Sequence, residues 1–426
     1  MVRYREQALI VLVVVSACLF RASGADDNDP KLIRWRMQQV LKDVSYTVET
    51  SFYDPRMNGV DWKASVEITR RQIDEADHIG QMITAITALL ARLNDSHTVF
   101  FPPRRTEHVI FGFDAKPFGD DVLVYDVMQK GPADAAGLQI GDRILAINDF
   151  GVTRGNIDLM LGYFRVLDPV RELSLTISRG NRTEVIKVKA ELQSELSKDL
   201  SHVYDRYARE RKKDFEPIAR DYDSGIVYLR LPSFEMLPHD AGAFVGKAKN
   251  ARAIILDLRE NGGGRGETLE EVADHFFSER GKLADLIGRN QTVTVEIKPR
   301  NPNLGSPLLV LVDSHSASAS EALARYVQIK QRGRIVGDRT SGRVNVSRIV
   351  PGTVGSVYPV RYALEVTVGR AVMADGQGLE GRGVSPDEVC VPTSEDLRSG
   401  KDPCLERAIE LARSESSGKK DGPIPK

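Results

Sequence analysis

The chain has 426 residues, and its 59 basic and 60 acidic side chains leave a formal net charge of −1. This balance argues against nucleic acid or an acidic polymer as the partner, because proteins that bind polyanions carry a basic excess. The length and a hydrophobic content of 41% predict two or three domains with buried cores.

Residues 1–24 have the pattern of a signal peptide. Arg3 and Arg5 precede the apolar stretch from Ala8 to Phe20, and small residues suited to cleavage follow it. We therefore expect export to the bacterial periplasm or cell envelope. Two alternatives stay open, a membrane-anchoring helix and a lipid attached to Cys18, which ends the short motif V-S-A-C.

Residues 25–108 are predicted to form a helical domain. Apolar side chains recur there at helical spacing, as at Ile33, Met37, Val40, Leu41 and Val44. Pro55 interrupts this first helix, a second begins near Val60, and a third runs from Ile79 to Leu93. These positions are expected to pack against one another and not to form a ligand pocket.

Residues 109–193 are predicted to be rich in β-strands, because short apolar runs alternate with glycine and aspartate turns. The segment 130–148, K-G-P-A-D-A-A-G-L-Q-I-G-D-R-I-L-A-I-N, closely resembles the signature of a PDZ domain. That resemblance implies that backbone amides near Phe111, Gly112 and Phe113 bind the carboxylate of a peptide that adds a strand to the sheet. The alternative is a PDZ fold that only spaces other domains.

Residues 194–222 are highly charged and are predicted to be a linker. From residue 223 to residue 413, strand-like runs alternate with helical stretches, which predicts a mostly parallel sheet covered by helices. The last segment, residues 414–426, is polar and is predicted to be a disordered tail.

Ser318 lies where one of these strands gives way to a helix. The apolar run from Leu308 to Val312 leads into D-S-H-S-A-S-A-S-E, and helix-forming residues follow. A serine on such a turn has backbone N–H groups beside it and a helix N-terminus behind it, as an acyl-transfer nucleophile requires. Ser318 and Glu321 also fit S-x-x-E, the pattern of a capping box that needs no chemistry.

Three other segments supply partners for such a serine. Three glycines follow the strand near residue 256, so the N–H groups of Gly263 and Ala319 are candidates for an oxyanion hole. His97 follows Ser96 in a short polar turn after a helix, and Glu380 lies among glycines, where its carboxylate could orient an imidazole. Taken singly, each is as well explained as a turn glycine, a surface histidine or a loop acid.

Together these segments resemble the carboxyl-terminal processing (tail-specific) peptidases and their tricorn-core relatives. The resemblance covers about residues 40–412 and depends on D-L-R-E-N-G-G-G, S-A-S-A-S-E, G-D-R-T-S-G and L-E-G-R-G-V-S-P-D, in that order, with the PDZ signature before them. It implies a multidomain α/β protein: a ClpP/crotonase-like peptidase core, an N-terminal helical domain and an inserted β-rich PDZ domain. It further implies a serine endopeptidase that acts on protein or peptide substrates.

One position departs from the pattern of many members, which pair the serine with a lysine in T-x-G-K. Here Arg343 stands in place of that lysine, and arginine cannot act as a base because it stays protonated. One explanation is the tricorn-like arrangement, in which Ser318, His97, Ser96 and Glu380 form a tetrad with the imidazole as base. The other is an inactive relative that only binds peptides.

The remaining predictions concern cysteines, cofactors and assembly. Cys390 and Cys404 are expected to form a structural disulfide, since the chain is expected to be exported. No metal or organic cofactor is expected, because the sequence has no H-E-x-x-H, no Cys/His cluster and no phosphate-binding loop. The sequence does not decide between a monomer and a homo-oligomer.

Overall fold

The computed structural model describes residues 29–103, 107–194, 216–222, 225–300, 303–355 and 359–417. The predicted signal peptide with Cys18, most of the predicted linker and residues 418–426 lie outside these ranges. Within them, every helix is too short or too polar to cross a lipid bilayer.

Three helices form the N-terminal part of the described chain, and two of them begin at capping aspartates. They are α1 (Pro30–Ser51), α2 (Trp62–Glu75) and α3 (Ile79–Ala91). The carboxylates of Asp29 and Asp61 accept hydrogen bonds from the amides of Lys31 and Ala64, which stabilises the helix starts. A short strand, β1 (Val99–Phe101), follows α3 after a polar turn.

A β-rich domain comes next, as predicted from its alternating apolar runs. Its elements are β3 (Phe113–Phe118), β4 (Asp121–Val127), α4 (Pro132–Ala135), β5 (Arg143–Ile147), β6 (Phe150–Gly151), α5 (Ile157–Gly162), β7 (Glu172–Arg179) and β8 (Arg182–Lys189). The sheet has the order β3-β4-β5-β7-β8, so β3 is an edge strand. A two-stranded ribbon of β2 (Glu107–Ile110) and β9 (Glu191–Ser194) brings the chain into this domain and out again.

The C-terminal half contains a six-stranded sheet that is parallel except for its first strand. Its strands, in spatial order, are β10 (Ile218–Tyr222), β11 (Ile226–Arg230), β12 (Ala253–Asp257), β15 (Leu308–Val312), β16 (Arg334–Gly337) and β19 (Glu388–Val389). Every residue of β12 and β15 is buried, which explains their unbroken apolar sequences.

Helices cover both faces of this sheet. The first face packs against α6 (Pro238–Val245), α7 (Gly266–Asp274) and α8 (Ala319–Ile329), and the second against α10 (Pro403–Ser417), with the short α9 (Ser394–Ser399) before it. Alternate residues of one strand separate cleanly: Leu308 and Val310 face the first helix layer, whereas Leu309 and Leu311 face α10.

A second, antiparallel sheet joins the N-terminal helices to the C-terminal half. It consists of β13 (Gly281–Gly288), β14 (Thr292–Ile297), β17 (Val346–Val354), β18 (Val360–Met373) and the N-terminal β1. In β1, Val99 pairs with Glu365 of β18. The N-terminal helices share one hydrophobic core with Phe100, Tyr362 and Leu364 of this sheet. The polar turn before β1 is thereby fixed against the C-terminal half.

Two boundaries differ from the sequence prediction. Residues Ile218–Tyr222 of the predicted linker form the edge strand β10, whose central residues are exposed and include Arg220 and Asp221. Charged residues are common on edge strands, where they oppose aggregation, and they gave this segment the composition of a linker. At the other end, α10 continues to Ser417 and so includes the first residues of the predicted tail.

Candidate active site

Ser318 occupies a strained turn between β15 and α8. Its backbone has φ 54° and ψ −115°, a conformation that residues other than glycine rarely adopt. The Ser318 N–H donates to the carbonyl oxygen of Arg343 at 2.6 Å and to Oε2 of Glu321 at 3.1 Å. These two acceptors hold the serine in this conformation at the N-terminus of α8.

Glu321 ties this turn to the loop that follows β16. Its buried carboxylate accepts hydrogen bonds from Oγ1 of Thr340 (2.5 Å) and from the amides of Gly342 (2.7 Å) and Arg343 (2.9 Å), besides Ser318. Burial raises the pKa of Glu321, while these donors oppose the change. The bond from Ser318 to Glu321 is one half of the capping box that the sequence suggested.

The neighbouring serines have structural contacts. Ser316 and Ser320 are fully buried. Their hydroxyls donate to the carbonyl oxygens of Leu258 at 2.8 Å and Asn261 at 2.9 Å. Both therefore fasten the Ser318 turn to the glycine loop after β12.

That glycine loop approaches Ser318 closely. Gly263 has φ 99°, and a Cβ atom added to it would lie 2.6 Å from Cβ of Ser318 and 3.1 Å from the Ala319 nitrogen. Only glycine allows this approach. The loop thus brings Gly263 and Ala319 together beside the serine.

The two predicted oxyanion donors differ in their present partners. The Gly263 N–H donates to Oδ1 of Asn261 at 2.9 Å, within its own loop. The Ala319 N–H belongs to the first turn of α8, where amides have no partner within the helix. In this conformation, therefore, Gly263 is near the serine but its N–H is directed to Asn261, a bond that was not predicted from the sequence.

The turn that carries His97 is organised by Asp95. Its Oδ1 accepts from the His97 amide at 3.1 Å and from the Thr98 hydroxyl at 2.8 Å, and its Oδ2 accepts from Nδ2 of Asn345 at 3.1 Å. Sequence analysis did not single out Asp95. The available signal was an aspartate two residues before the amide that it accepts, the pattern of an Asx turn.

His97, Ser96 and Glu380 form one hydrogen-bonded chain. Oγ of Ser96 lies 2.9 Å from Nδ1 of His97, which leaves Nε2 as the atom for proton transfer. Oε1 of Glu380 accepts from the Ser96 amide at 3.1 Å, and its Oε2 accepts from the amides of Val344 (3.1 Å) and Asn345 (3.3 Å). Glu380 therefore acts on the backbone of Ser96 and not on the imidazole directly.

The surroundings of His97 favour its neutral form. Burial lowers the pKa of His97, and the positive charge of Arg343 lowers it further. The carboxylates of Glu365, Glu380 and Asp95 oppose this but do not reverse it. A neutral imidazole is the form that can accept a proton.

Arg343 connects the two halves of the site. Its carbonyl oxygen accepts from the Ser318 amide, and its guanidinium donates to the carbonyl oxygen of Ser96 at 2.8 Å. The hydrogen bonds of the described residues do not include one between the His97 ring and the Ser318 hydroxyl. The structure thus brings the four predicted tetrad residues to one region, with Arg343 and Glu380 as links, but without the bond that would transfer the proton.

The edge strand of the β-rich domain docks against this region. Lys116 of β3 is buried and forms ion pairs with Glu260 of the glycine loop and with Asp313 of the serine loop, the latter at 2.6 Å. Oδ1 of Asp313 also accepts from the amides of Glu260 (3.0 Å), His315 (3.1 Å) and Ser316 (3.0 Å). Sequence analysis did not anticipate Lys116 or Asp313.

His315, the histidine nearest to Ser318 in sequence, also lies in this interface. Its Nδ1 is 2.9 Å from Oε2 of Glu260, and its Nε2 is 3.6 Å from a carboxylate oxygen of Asp158 on α5. Both ring nitrogens therefore have acidic partners other than the Ser318 hydroxyl.

The predicted peptide-binding turn precedes β3. Phe111 and Phe113 have buried side chains, and Gly112 between them has φ 71°. Arg165 lies over the ring of Phe113 at 5.2 Å, and its guanidinium bonds to a carboxylate oxygen of Asp114 at 3.1 Å. The buried rings fix the turn, and the carbonyl oxygens of Phe111 and Gly112 accept from the amides of Ala133 (3.0 Å) and Met128 (2.9 Å).

Two further predictions can be located. Cys390 and Cys404 lie side by side with their Cα atoms 5.5 Å apart, a separation that a disulfide spans. In the part of the chain that the structure describes, no cluster of three or more histidine, cysteine or acidic side chains could hold a metal ion.

The fold and these loops define a serine-type peptidase that carries a PDZ domain. The model of peptidase family S41 matches residues 225–390, and that of the PDZ domain matches residues 109–190. These matches support the carboxyl-terminal-processing peptidases of family S41 as the family of this chain, as the sequence resemblance implied. The predicted fold class and enzyme class are thereby confirmed.

Named relatives extend over most of the chain. Carboxyl-terminal-processing peptidase 1, chloroplastic, of Arabidopsis thaliana is 25% identical over 404 residues, covering 89% of this chain and 76% of the relative. The carboxyl-terminal-processing protease of Picosynechococcus is 26% identical over 416 residues, covering 91% of each. The crystal structure of mature CPAF superposes with a TM-score of 0.69 over 92% of this chain and 99% of that one, at 14% identity, which indicates a shared fold.

Proposed function

We propose that this peptidase uses Ser318 as nucleophile and His97 as general base, with Ser96 and Glu380 orienting the imidazole. The observation that supports this most directly is the chain Glu380–Ser96–His97, which presents Nε2 of a neutral imidazole in the same region as the strained Ser318 turn. The absence of a lysine base at position 343 supports it further.

In the proposed reaction, His97 Nε2 takes the hydroxyl proton of Ser318 as Oγ attacks the carbonyl carbon of the scissile peptide bond. The carbonyl oxygen becomes an oxyanion, which the Ala319 N–H stabilises, together with the Gly263 N–H once it turns away from Asn261. His97 then gives the proton to the leaving amine as the C–N bond breaks. Water, deprotonated by His97, releases the acyl group and restores Ser318.

We propose that the substrates are proteins recognised at their C-termini. Two relatives are named as carboxyl-terminal-processing enzymes, and the turn formed by Phe111, Gly112 and Phe113 stands where the PDZ resemblance places the amides that bind a peptide carboxylate. The export signal in residues 1–24 and the adjacent Cys390 and Cys404 support an exported enzyme with one disulfide. Detergent partition of wild type and Cys18→Ala distinguishes a lipidated form from a released one. If Cys18 carries a lipid, Cys18→Ala should leave the detergent phase; without a lipid, both proteins should partition alike.

A fluorophosphonate probe tests the nucleophile. We expect wild-type protein to be labelled at Ser318, as located by peptide mass spectrometry, and Ser318→Ala to remain unlabelled. Ser341→Ala is the matched control, because Ser341 lies in the adjacent loop and its hydroxyl has no hydrogen bond within the described residues. Absence of labelling in the wild type, combined with binding of C-terminal peptides, would show an inactive peptide-binding relative instead.

Gly263→Ala should disable catalysis without unfolding the protein. The added methyl group would meet Cβ of Ser318, and φ 99° is unfavourable for alanine. We expect kcat to fall by about 10²–10³, the usual cost of losing one oxyanion donor, and Tm to fall as well through the strain at this contact. Gly266→Ala, where an added Cβ has nothing within 4 Å, is the control; equal kcat values for the two variants would contradict this role of the loop.

A further inference from the structure

On the basis of the proposed function, we infer that Arg343 is a positioning residue. It keeps the serine turn, which carries Ser318, and the histidine turn, which carries Ser96 and His97, in fixed positions relative to each other. In family members with a lysine at this position, that residue supplies the base. Here the arginine would instead hold the two turns in position. This assigns Arg343 a role in the reaction although it transfers no proton and contacts no reacting atom.

Three groups of Arg343 make the connection. Its amide donates to Glu321 Oε2 at 2.9 Å, its carbonyl oxygen accepts from the Ser318 amide at 2.6 Å, and its guanidinium donates to the Ser96 carbonyl oxygen at 2.8 Å. The first two contacts fix Arg343 to the serine turn regardless of its side chain. The third reaches across 247 positions of sequence to the histidine turn, so the side chain is the part of Arg343 that contacts this turn.

Other contacts reach the histidine turn from different directions. Glu380 binds the Ser96 amide, and Asp95 is bonded to Asn345. Among the contacts of the histidine turn, that of Arg343 is the one made by a residue directly bonded to the Ser318 backbone. This guanidinium therefore opposes rotation of the histidine turn relative to Ser318 together with Glu380, which joins the Ser96 amide to the amides of Val344 and Asn345. Misplacement of a general base by about 1 Å can reduce the rate by about 10²-fold.

The guanidinium also keeps its charge available to the imidazole. Its acceptor is a neutral carbonyl group, and no carboxylate of the described residues forms an ion pair with it. Burial and the charge of Arg343 lower the pKa of His97, whereas the charges of Glu365, Glu380 and Asp95 raise it. Arg343 is thus the cation with the largest effect on His97, and it disfavours the imidazolium form.

The two effects have separate kinetic signatures. Loss of the hydrogen bond should lower kcat with little change in KM, because substrate contacts remain. Loss of the charge should move the acid limb of the kcat/KM profile to higher pH, because the active form of His97 is neutral and activity disappears as the pH falls through its pKa. A residue that merely supported the fold would change stability and leave the pH of that limb unaltered.

Arg343→Met and Arg343→Lys separate these effects in steady-state hydrolysis of a peptide substrate. We expect Arg343→Met to lower kcat by about 10- to 100-fold and to move the acid limb upward. Arg343→Lys keeps the charge, so its acid limb should remain at the wild-type pH and part of kcat should return. Adding His97→Ala to Arg343→Lys should abolish activity, which excludes lysine as a substitute base.

Arg382→Gln serves as the control, because Arg382 is an exposed arginine in the adjacent loop whose side chain has no hydrogen bond or ion pair in the described chain. Wild-type kcat and an unmoved acid limb in Arg343→Met would overturn the inference while Ser318 labelling left the proposed function intact. Failure of the wild type to hydrolyse or to be labelled would overturn the proposed function first. Circular dichroism checks that each variant is folded.

Discussion

Replacing His97 with alanine is expected to lower kcat by about 10⁴- to 10⁶-fold while KM changes little. Loss of one member of a serine–histidine pair removes almost the whole contribution of the unit, because a serine without its base is a poor nucleophile at neutral pH. The residual rate would come from substrate binding and the oxyanion donors. Steady-state hydrolysis of a peptide substrate measures the loss, and urea denaturation checks that the fold is retained.

Two other histidines make this experiment discriminating. His239 is exposed on α6, and its replacement by alanine should leave kcat unchanged. His315 lies nearer to Ser318 in sequence but contacts Glu260 and Asp158, so His315→Ala should disturb the docking of the PDZ domain and retain measurable chemistry. Full activity in His97→Ala, together with its loss in His315→Ala, would transfer the role of base to His315.

The features that could be predicted from the sequence are those encoded within short segments. Leu308–Val312 is apolar because helices cover both faces of this strand. Ser318 marks the turn after the strand because it stands directly before the next helix. The three consecutive glycines could be recognised in the sequence, and the close approach of Gly263 to Ser318 explains why glycine is needed there. His97 was noticeable because its polar turn follows a strongly periodic helix.

The features that could not be predicted depend on long-range side-chain contacts. Lys116 and Asp313 are separated by 197 positions, and Asp95 meets Asn345 across 250. A lysine in a β-strand has the sequence appearance of a solvent-exposed residue, and nothing in its neighbourhood names a partner. The bond between Gly263 and Asn261 is local, but it depends on the orientation of one peptide group. Amino-acid composition does not specify that orientation.

These contacts place the site where three parts of the chain meet. The N-terminal domain supplies His97, the C-terminal half supplies Ser318 and Glu380, and the PDZ domain supplies Lys116 beside the loops that carry Gly263 and Ser318. None of these parts contains a complete site. The geometry of the proposed catalytic site therefore depends on how the domains are packed together, and this packing can be tested at the buried ion pair of Lys116 and Asp313.

Lys116→Met should destabilise the folded state by about 3–5 kcal/mol at neutral pH. The Lys116 side chain is 9% exposed and lies between Asp313, which is 12% exposed at its side chain, and Glu260, which is 33% exposed. Methionine would leave the buried carboxylate of Asp313 without its cation. Although burial opposes ionisation, Lys116 holds the pKa of Asp313 below its usual range. When the pKa of an acid is lower in the folded state than in the unfolded state, its ionised form stabilises the folded protein at pH values above the unfolded-state pKa. This contribution disappears as the pH falls through the folded-state pKa.

The difference between wild type and Lys116→Met should therefore be largest near neutral pH and should shrink in acid, where protonation of Asp313 removes the penalty. Urea denaturation at several pH values measures this. Hydrogen exchange at the amides of Glu260, His315 and Ser316, which donate to Asp313, should also become faster.

Lys187→Met, at an exposed lysine of the same domain, should change stability by less than about 0.5 kcal/mol. Equal stability of Lys116→Met and Lys187→Met at every pH would mean that this buried ion pair contributes no more than a surface one, and that domain docking depends on its remaining contacts.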